Sequence, residues 1–237
     1  MSTQFRLPFT AAPTHAREDF AVSPSNADAV ARVDGWPAWP EGRLALVGPA
    51  GCGKTHLARA WARAHDAVVV DALAPEAPDL ATLRGRAVLV EDVDQRPSGA
   101  AGGGGGAALS DEALFHILNM AGVDGGTVLL TGRTAPVGWA CAVPDLRSRL
   151  NALCVAAIAP PDDVVLEAVL RRAFEQRLLK PDPDLYPYLL ARLPRSAAEA
   201  IAAADLLDEA ADQRRRELNK ALAREVLGDF EGDEEPG

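Results

Sequence analysis

The stretch Gly48-Pro-Ala-Gly-Cys-Gly-Lys-Thr55 decides how this 237-residue chain is read. It satisfies GxxxxGK[ST] at every fixed position. Just before it, Arg43-Leu-Ala-Leu-Val47 is a short apolar run cut off by glycine, which predicts a buried strand. Just after it, His56 to His65 has helical spacing. A glycine-rich turn between strand and helix is the setting in which this motif holds phosphate. Glycines let the backbone curl until its N–H groups converge on phosphate oxygens. The helix that follows presents its positive end to the same point. Gly48, Pro49, Ala50, Gly51, Cys52, Gly53, Lys54, Thr55 and His56 are therefore the expected cradle for the phosphates of ATP or ADP. Lys54 is expected on the terminal phosphates and the Thr55 hydroxyl on Mg²⁺. Cys52 occupies a variable position of the motif and reads as filler.

Working outward, a phosphate loop needs a second strand that ends in acid, and Val88-Leu-Val-Glu91-Asp92 supplies one. In this pattern the first acid faces Mg²⁺ and the second activates water, so Glu91 is the expected metal-side carboxylate and Asp92 the expected base. Glu91 is one methylene longer than the usual metal-side acid, and Asp92 one shorter than the usual base. A displacement of about 1 Å costs on the order of 100-fold in rate, so nucleotide binding with slow hydrolysis is expected. Further short runs at Ala67-Val-Val-Val70, Ala87-Val-Leu-Val90, Thr127-Val-Leu-Leu130 and Cys154-Val-Ala-Ala-Ile158 read as strands. Helices are predicted from Ser25–Asn26 to about Val33 and from Ser110 to about Met120. Strands alternating with helices predict an α/β fold with a parallel sheet covered on both faces. The pattern changes after Pro160–Pro161. Helical periodicity over residues 163–178, a helix over 185–193, a capping box at Ser196 and Glu199, and a last helix over 218–227 predict a small all-α domain. The expected organisation is an arm over residues 1–18, an α/β domain over 19–160, a helical domain over 161–228 and an acidic tail over 229–237.

Composition narrows the function classes. Apolar residues make up 48% and charged residues 24%, ample for a buried core without staples. No apolar run approaches the roughly 20 residues of a membrane span, and no signal peptide is visible, so no membrane partner is expected. Three cysteines, Cys52, Cys141 and Cys154, with wide spacing and no CxxC, read as reduced, metal-free and cytoplasmic. The net charge is −10, and the last nine residues hold five acids and no base. Such a chain lacks a general attraction to phosphate backbones, which disfavours autonomous DNA binding. Trp36 and Trp39 flank prolines and read as a hydrophobic corner. The Gly/Ala/Ser tract over residues 98–106 reads as a flexible loop.

Taken together, the phosphate loop, the Val-Glu-Asp strand, a strand ending in Thr131, the segment Pro144-Asp-Leu-Arg-Ser-Arg149-Leu150 and the helical C-terminal region resemble the AAA+ ATPases of the DnaA class. The resemblance runs from Phe20 to Leu227, and no helix-turn-helix follows the helical region. The extreme N-terminus, Gln4-Phe-Arg-Leu-Pro-Phe9, is similar to the sliding-clamp-binding peptide of the Hda branch of that class, DnaA homologues that inactivate the initiator. Glu112-Ala-Leu-Phe-His116 and Ala223-Arg-Glu-Val-Leu227 also look like alphaproteobacterial members of that branch. The resemblance implies that Arg149 is an arginine finger acting in trans on a neighbour's nucleotide. It places Arg147 as the lesser candidate and makes Thr131, with Arg133 nearby, the sensor at the end of the fourth strand. It puts Phe20, Val22 and Asn26 near the adenine. Relatives carry a phosphate-facing arginine on the helix after the capping serine. Here Ala198 or Glu199 stands there, and the nearest cation is Arg195. The implied partners are the DNA polymerase III sliding clamp (its beta subunit), met by Gln4, Phe5, Leu7, Pro8 and Phe9, and DnaA itself. DNA is met only through the clamp, and a homo-oligomer is allowed. An extended peptide of this kind drops Leu7 and Phe9 into an apolar pocket while Pro8 limits the entropy lost on docking. Two other classes stay open: a P-loop ATPase or kinase with its own substrate, and a DNA-binding loader or initiator.

Overall fold

Five apolar runs become five parallel strands: β1 (Arg43–Val47), β2 (Val68–Asp71), β3 (Ala87–Glu91), β4 (Thr127–Gly132) and β5 (Val155–Ala157). They form one sheet in the order β2-β3-β4-β1-β5. The structure is a computed structural model that describes residues 15–76, 78–96, 109–214 and 216–228. The expected clamp peptide, the glycine tract and the acidic tail lie outside the described residues. The central strands β1 and β4 are buried along their whole length, because helices cover both faces of the sheet. Successive side chains alternate between the two faces. Leu44, Leu46, Leu89 and Leu129 pack with Ala29, Val30, Leu57 and Trp61 of α1 (Ala27–Asp34) and α2 (Lys54–Ala64). Ala45, Val47, Val88, Val90, Val128 and Leu130 pack with Leu114, Leu118, Leu146 and Leu150 of α3 (Asp111–Met120) and α4 (Pro144–Asn151). Each fully buried leucine is worth about 1.5–3 kcal/mol. These two layers therefore outweigh the surface ion pairs, at about 0–1 kcal/mol each.

Four further helices, α5 (Asp163–Gln176), α6 (Leu185–Leu190), α7 (Ala197–Arg214) and α8 (Lys220–Leu227), share a separate core. Leu166, Leu170, Phe174, Leu185, Leu189, Leu207 and Leu222 lie in it. Side-chain caps fix several helix starts: Ser110 accepts from the Ala113 N–H, Asp162 from Val165, and Asn219 from Leu222. No helix among the described residues is long and apolar enough to cross a membrane.

Two local expectations shift, at α2 and α5. Helix α2 begins at Lys54 rather than His56, because Gly53 at φ 99° ends the loop directly before it. Helix α5 stops at Gln176, and Leu178, read as part of its apolar face, has φ 57° and is 86% exposed. Helix α4 has no side-chain cap and starts with Pro144 in its first turn, where proline's missing N–H costs nothing. Because every strand runs the same way, the segments after β1, β3 and β4 emerge at one edge of the sheet, where ligands of open α/β sheets bind.

Candidate nucleotide site

The loop after β1 is shaped by its glycines. Gly51 has φ 71°, and a Cβ there would run into the side chain of Ser196, at the start of α7. Gly53, at φ 99°, would bring a Cβ to 3.1 Å from the Phe20 ring. At Gly51 this approach leaves room only for hydrogen, while at Gly53 the left-handed φ is what favours glycine. Lys54 is buried, and its Nζ donates to the carbonyls of Gly48 and Pro49, both at 2.7 Å. Cys52 is buried beneath the loop with its Sγ 3.8 Å from Lys54 Nζ. Burial pushes the Cys52 thiol above its ordinary pKa, against the opposing pull of Lys54.

The acidic side comes from the ends of β3 and β4. Glu91 is buried, and both of its oxygens accept from Arg59 of α2. Nε lies 3.2 and 3.1 Å from Oε1 and Oε2, and Nη2 lies 2.8 Å from Oε2. Asp92 turns the chain at φ 54°, a left-handed conformation that Asp tolerates better than most residues. Its N–H donates to the buried Thr131 hydroxyl at 3.0 Å, which ties the end of β3 to that of β4. Burial first, then the charges of Glu91 and Asp94, push the Asp92 carboxyl above its ordinary pKa, opposed by Lys54 and Arg133. Arg133 also docks here through its backbone N–H, 2.8 Å from Asp94 Oδ2. Lys54, Asp92, Thr131 and Arg133 thus converge on one side of the loop. For Mg²⁺, the exposed Thr55 hydroxyl on the first turn of α2 is a suitable donor. Glu91 as placed is not, since Arg59 holds both of its oxygens. Among the described residues no three His, Cys, Asp or Glu side chains cluster to hold a metal ion.

The opposite wall is the segment that precedes α1. Phe20 lies against Gly53 and meets His56 edge-on at 5.5 Å between centroids. His56 Nε2 donates to the Ala16 carbonyl at 2.8 Å, so His56 braces this segment. Asn26 is buried. Its Oδ1 accepts from the Ser23 N–H at 3.0 Å and its Nδ2 donates to the Ala21 carbonyl at 2.9 Å. It therefore pins the backbone on either side of Val22, whose side chain stays exposed. The Ala159 N–H, after β5, donates to the Ser25 carbonyl. Burial raises the Asp162 pKa, but hydrogen bonds from the Ser23 hydroxyl and from the Val165 and Ser25 backbone outweigh it and leave the carboxyl below its ordinary value. The helical region closes the loop from above: the Ala197 N–H donates to the Gly51 carbonyl at 2.8 Å. Arg195 is paired with Asp163 of α5, and Arg172 of α5 with Asp19.

Arg149 lies elsewhere. It is half-exposed on the last turn of α4, with Nη1 3.8 Å from Glu41 Oε2, and Arg43 holds the same oxygen at 2.7 Å. Glu41 precedes β1 and the phosphate loop follows it. Five strand residues at about 3.3 Å each separate them by about 16 Å, more than an arginine side chain spans. Arg147 donates to the carbonyls of Val137 and Trp139 and is committed to that loop. The two arginines of the motif therefore differ: one braces a loop, the other faces outward.

Two contacts went unread in the sequence. The capping box located Ser196, but not its seat on Gly51. Arg59 stands four residues after Thr55, so helical spacing already put it on the Thr55 face of α2. Trp36, read as part of a corner, stacks on His65 at 3.9 Å, and Trp39 leans on Trp61 at 5.1 Å. A groove of about 420 Å³ lined by Leu80, Arg84, His116, Asn119, Met120 and Val123 lies beside α3 and includes none of the site residues.

No family model matches the chain. An uncharacterized protein of Haemophilus influenzae is 27% identical over 186 residues, spanning 77% of this chain and 80% of that protein. Among solved structures, domain III of the Thermotoga maritima replication initiation protein DnaA superposes with a TM-score of 0.73 at 18% identity, covering 92% of this chain and 98% of that one. The replication initiator DnaA bound to AMPPCP and single-stranded DNA gives 0.63 at 18% identity, covering 86% and 69%. The Thermotoga maritima RuvB Holliday junction branch migration motor gives 0.57 at 16% identity, covering 78% and 61%. At these identities the likeness shows the fold, a five-stranded parallel sheet with a helical C-terminal region that matches the AAA+ domain of DnaA.

Proposed function

We propose that this chain is a nucleotide-bound AAA+ regulator that lowers replication initiation by stimulating hydrolysis of DnaA-bound ATP. The observation that carries this reading is the place of Arg149. It is half-exposed at the end of the sheet opposite its own phosphate loop, out of reach of its own nucleotide, which supports a role on a nucleotide held by another molecule. An arginine delivered in trans neutralises charge developing on the transferring phosphoryl group and accelerates hydrolysis by about 10³–10⁵. In this reading ATP or ADP is held by the loop from Gly48 to Thr55, with Lys54 at the phosphates and Phe20 and Val22 beside the base. The likeness to a DnaA bound to AMPPCP supports that placement. Mg²⁺, when bound, supplies charge neutralisation across the phosphate oxygens, with Thr55 as its protein donor. Asp92 and Thr131 line the same side of the loop as Lys54. The bound nucleotide acts mainly as a structural ligand that stabilises the competent state by mass action, and intrinsic turnover is slow. Gln4 to Phe9 dock the chain on the DNA-loaded sliding clamp, which gathers it where DnaA acts.

The test is hydrolysis of labelled ATP pre-bound to DnaA, in the presence of DNA-loaded clamp, with and without this protein. The expected result is stimulation that requires the clamp and falls by at least about 100-fold in Arg149→Ala, and that is lost in Gln4→Ala. Full stimulation by Arg149→Ala refutes the finger. No stimulation, with fast hydrolysis of the chain's own ATP, makes it a self-acting ATPase instead. Retention on DNA without clamp, weakening steeply with salt, makes it a loader.

A further inference from the structure

The pair Arg59–Glu91 does something that a phosphate loop does not require. Glu91 ends β3 one residue before Asp92, on a strand whose neighbour β2 places Asp71 in register with it. Arg59 stands one helical turn beyond Thr55 on the same face of α2, and its guanidinium reaches the Glu91 carboxylate at the end of β3. Three N···O contacts of 2.8–3.2 Å occupy both Glu91 oxygens. The geometry is the two-pronged match of guanidinium to carboxylate, the strongest form of this pair. Glu91 is 6% exposed, so releasing it from Arg59 leaves a buried charge without its partner. Mg²⁺ tolerates little departure from octahedral geometry at about 2.0–2.1 Å. A carboxylate whose two oxygens are both taken by a guanidinium does not offer that geometry, and a cation brought to it would meet the positive charge of Arg59.

We infer that Arg59 is a positioning residue that withholds Glu91 from the metal, so that this chain binds its nucleotide with little dependence on Mg²⁺. The inference rests on the nucleotide-binding reading above and deepens it. Arg59 supplies at Glu91 the positive charge that a metal ion would otherwise supply. The nucleotide then stays bound through metal depletion, and Glu91 takes no part in activating water.

The experiment titrates the full-length protein with a fluorescent ADP analogue in MgCl₂ and in EDTA. The dissociation constant of the unaltered chain is expected to change by less than about threefold between the two, under 0.7 kcal/mol. In Arg59→Ala the ratio is expected to rise to tenfold or more, with tighter binding in MgCl₂, and Arg59→Lys falls between. The double variant Arg59→Ala/Glu91→Gln, which carries no stranded buried charge, is expected to return to the insensitive ratio even if the single variant folds poorly. The inference is overturned if the unaltered chain binds tenfold or more tighter in MgCl₂ than in EDTA. It is equally overturned if a folded Arg59→Ala keeps the original ratio. Binding in neither buffer overturns the nucleotide reading and this inference with it, whereas strong metal dependence overturns the inference alone.

Discussion

Gly51→Ala tests whether the helical region is seated on the phosphate loop in solution. The substitution acts twice. An alanine at φ 71° carries the left-handed penalty of about 1–2 kcal/mol. Its Cβ also meets the Ser196 Oγ, Cβ and Cα, an overpacking of the kind that costs about 1–3 kcal/mol. The steric part has a ceiling, because α7 can lift off the loop when the clash exceeds its docking energy. Ser196→Gly removes the Oγ and Cβ, and glycine at a helix N-cap costs only a few tenths of a kcal/mol. The double variant should therefore recover the steric part and keep the backbone part. The expected coupling between the two substitutions is about 2 kcal/mol, which is about 4–8 °C in Tm for a chain of this size. Thermal unfolding of the four proteins of the cycle measures it, and fluorescent nucleotide affinity measured alongside reports the same contact at the loop. Strictly additive effects would refute the reasoning, since they mean that Ser196 does not touch Gly51 in solution.

Two further outcomes follow from charge. Asp92 holds its proton more tightly folded than unfolded, so its contribution to stability is most favourable below the ordinary carboxylate pKa of about 3.9 and declines as pH rises through the raised folded value. Asp92→Asn has no proton to lose there. Its urea midpoint should gain on the unaltered chain as pH rises through that window and then run parallel, and a gap of constant size at all pH values would contradict this. Arg96 and Asp111 form a fully buried ion pair, and the second Asp111 oxygen accepts from the Ala142 N–H at 2.7 Å. Arg96→Met should cost about 3–5 kcal/mol in denaturant unfolding, and Arg96→Met/Asp111→Asn should recover most of it, because the stranded charge dominates the loss. Equal losses in both variants would show that the pair acts through packing instead.

The sequence was most legible where local pattern and tertiary role coincide. Strands β1, β3 and β4 are continuous apolar runs because both faces are covered, and their ends carry the phosphate loop, the acid pair and Thr131. Ser110 and Ser196 were readable because a cap is chosen by residues three positions away. What stayed hidden depends on partners far along the chain. Glu91 read as a metal ligand from its place at a strand end, and nothing in that strand announces that Arg59, 32 residues earlier, holds it. Asn26 read as a residue beside the base, yet its amide is taken up by Ser23 and Ala21. Leu178 fitted a helical stripe, but the helix ends at Gln176 before the stripe reaches it. Arg147 read as the lesser candidate beside Arg149, but its hold on the carbonyls of Val137 and Trp139 was not readable from the segment.

Lysine has three protons to give. At Lys54 two are aimed at the carbonyls of Gly48 and Pro49, and the third direction looks toward the Cys52 sulfur at 3.8 Å. Sulfur is a poor acceptor and yields its share readily to an arriving oxyanion. The ammonium group is thus aimed in advance, held by two firm contacts and one weak one. A hydroxyl at position 52 would compete for that last proton far more strongly. In the proposed reading, position 52, variable in the motif and read as filler, would bear on how easily the lysine turns from its own backbone to the phosphates.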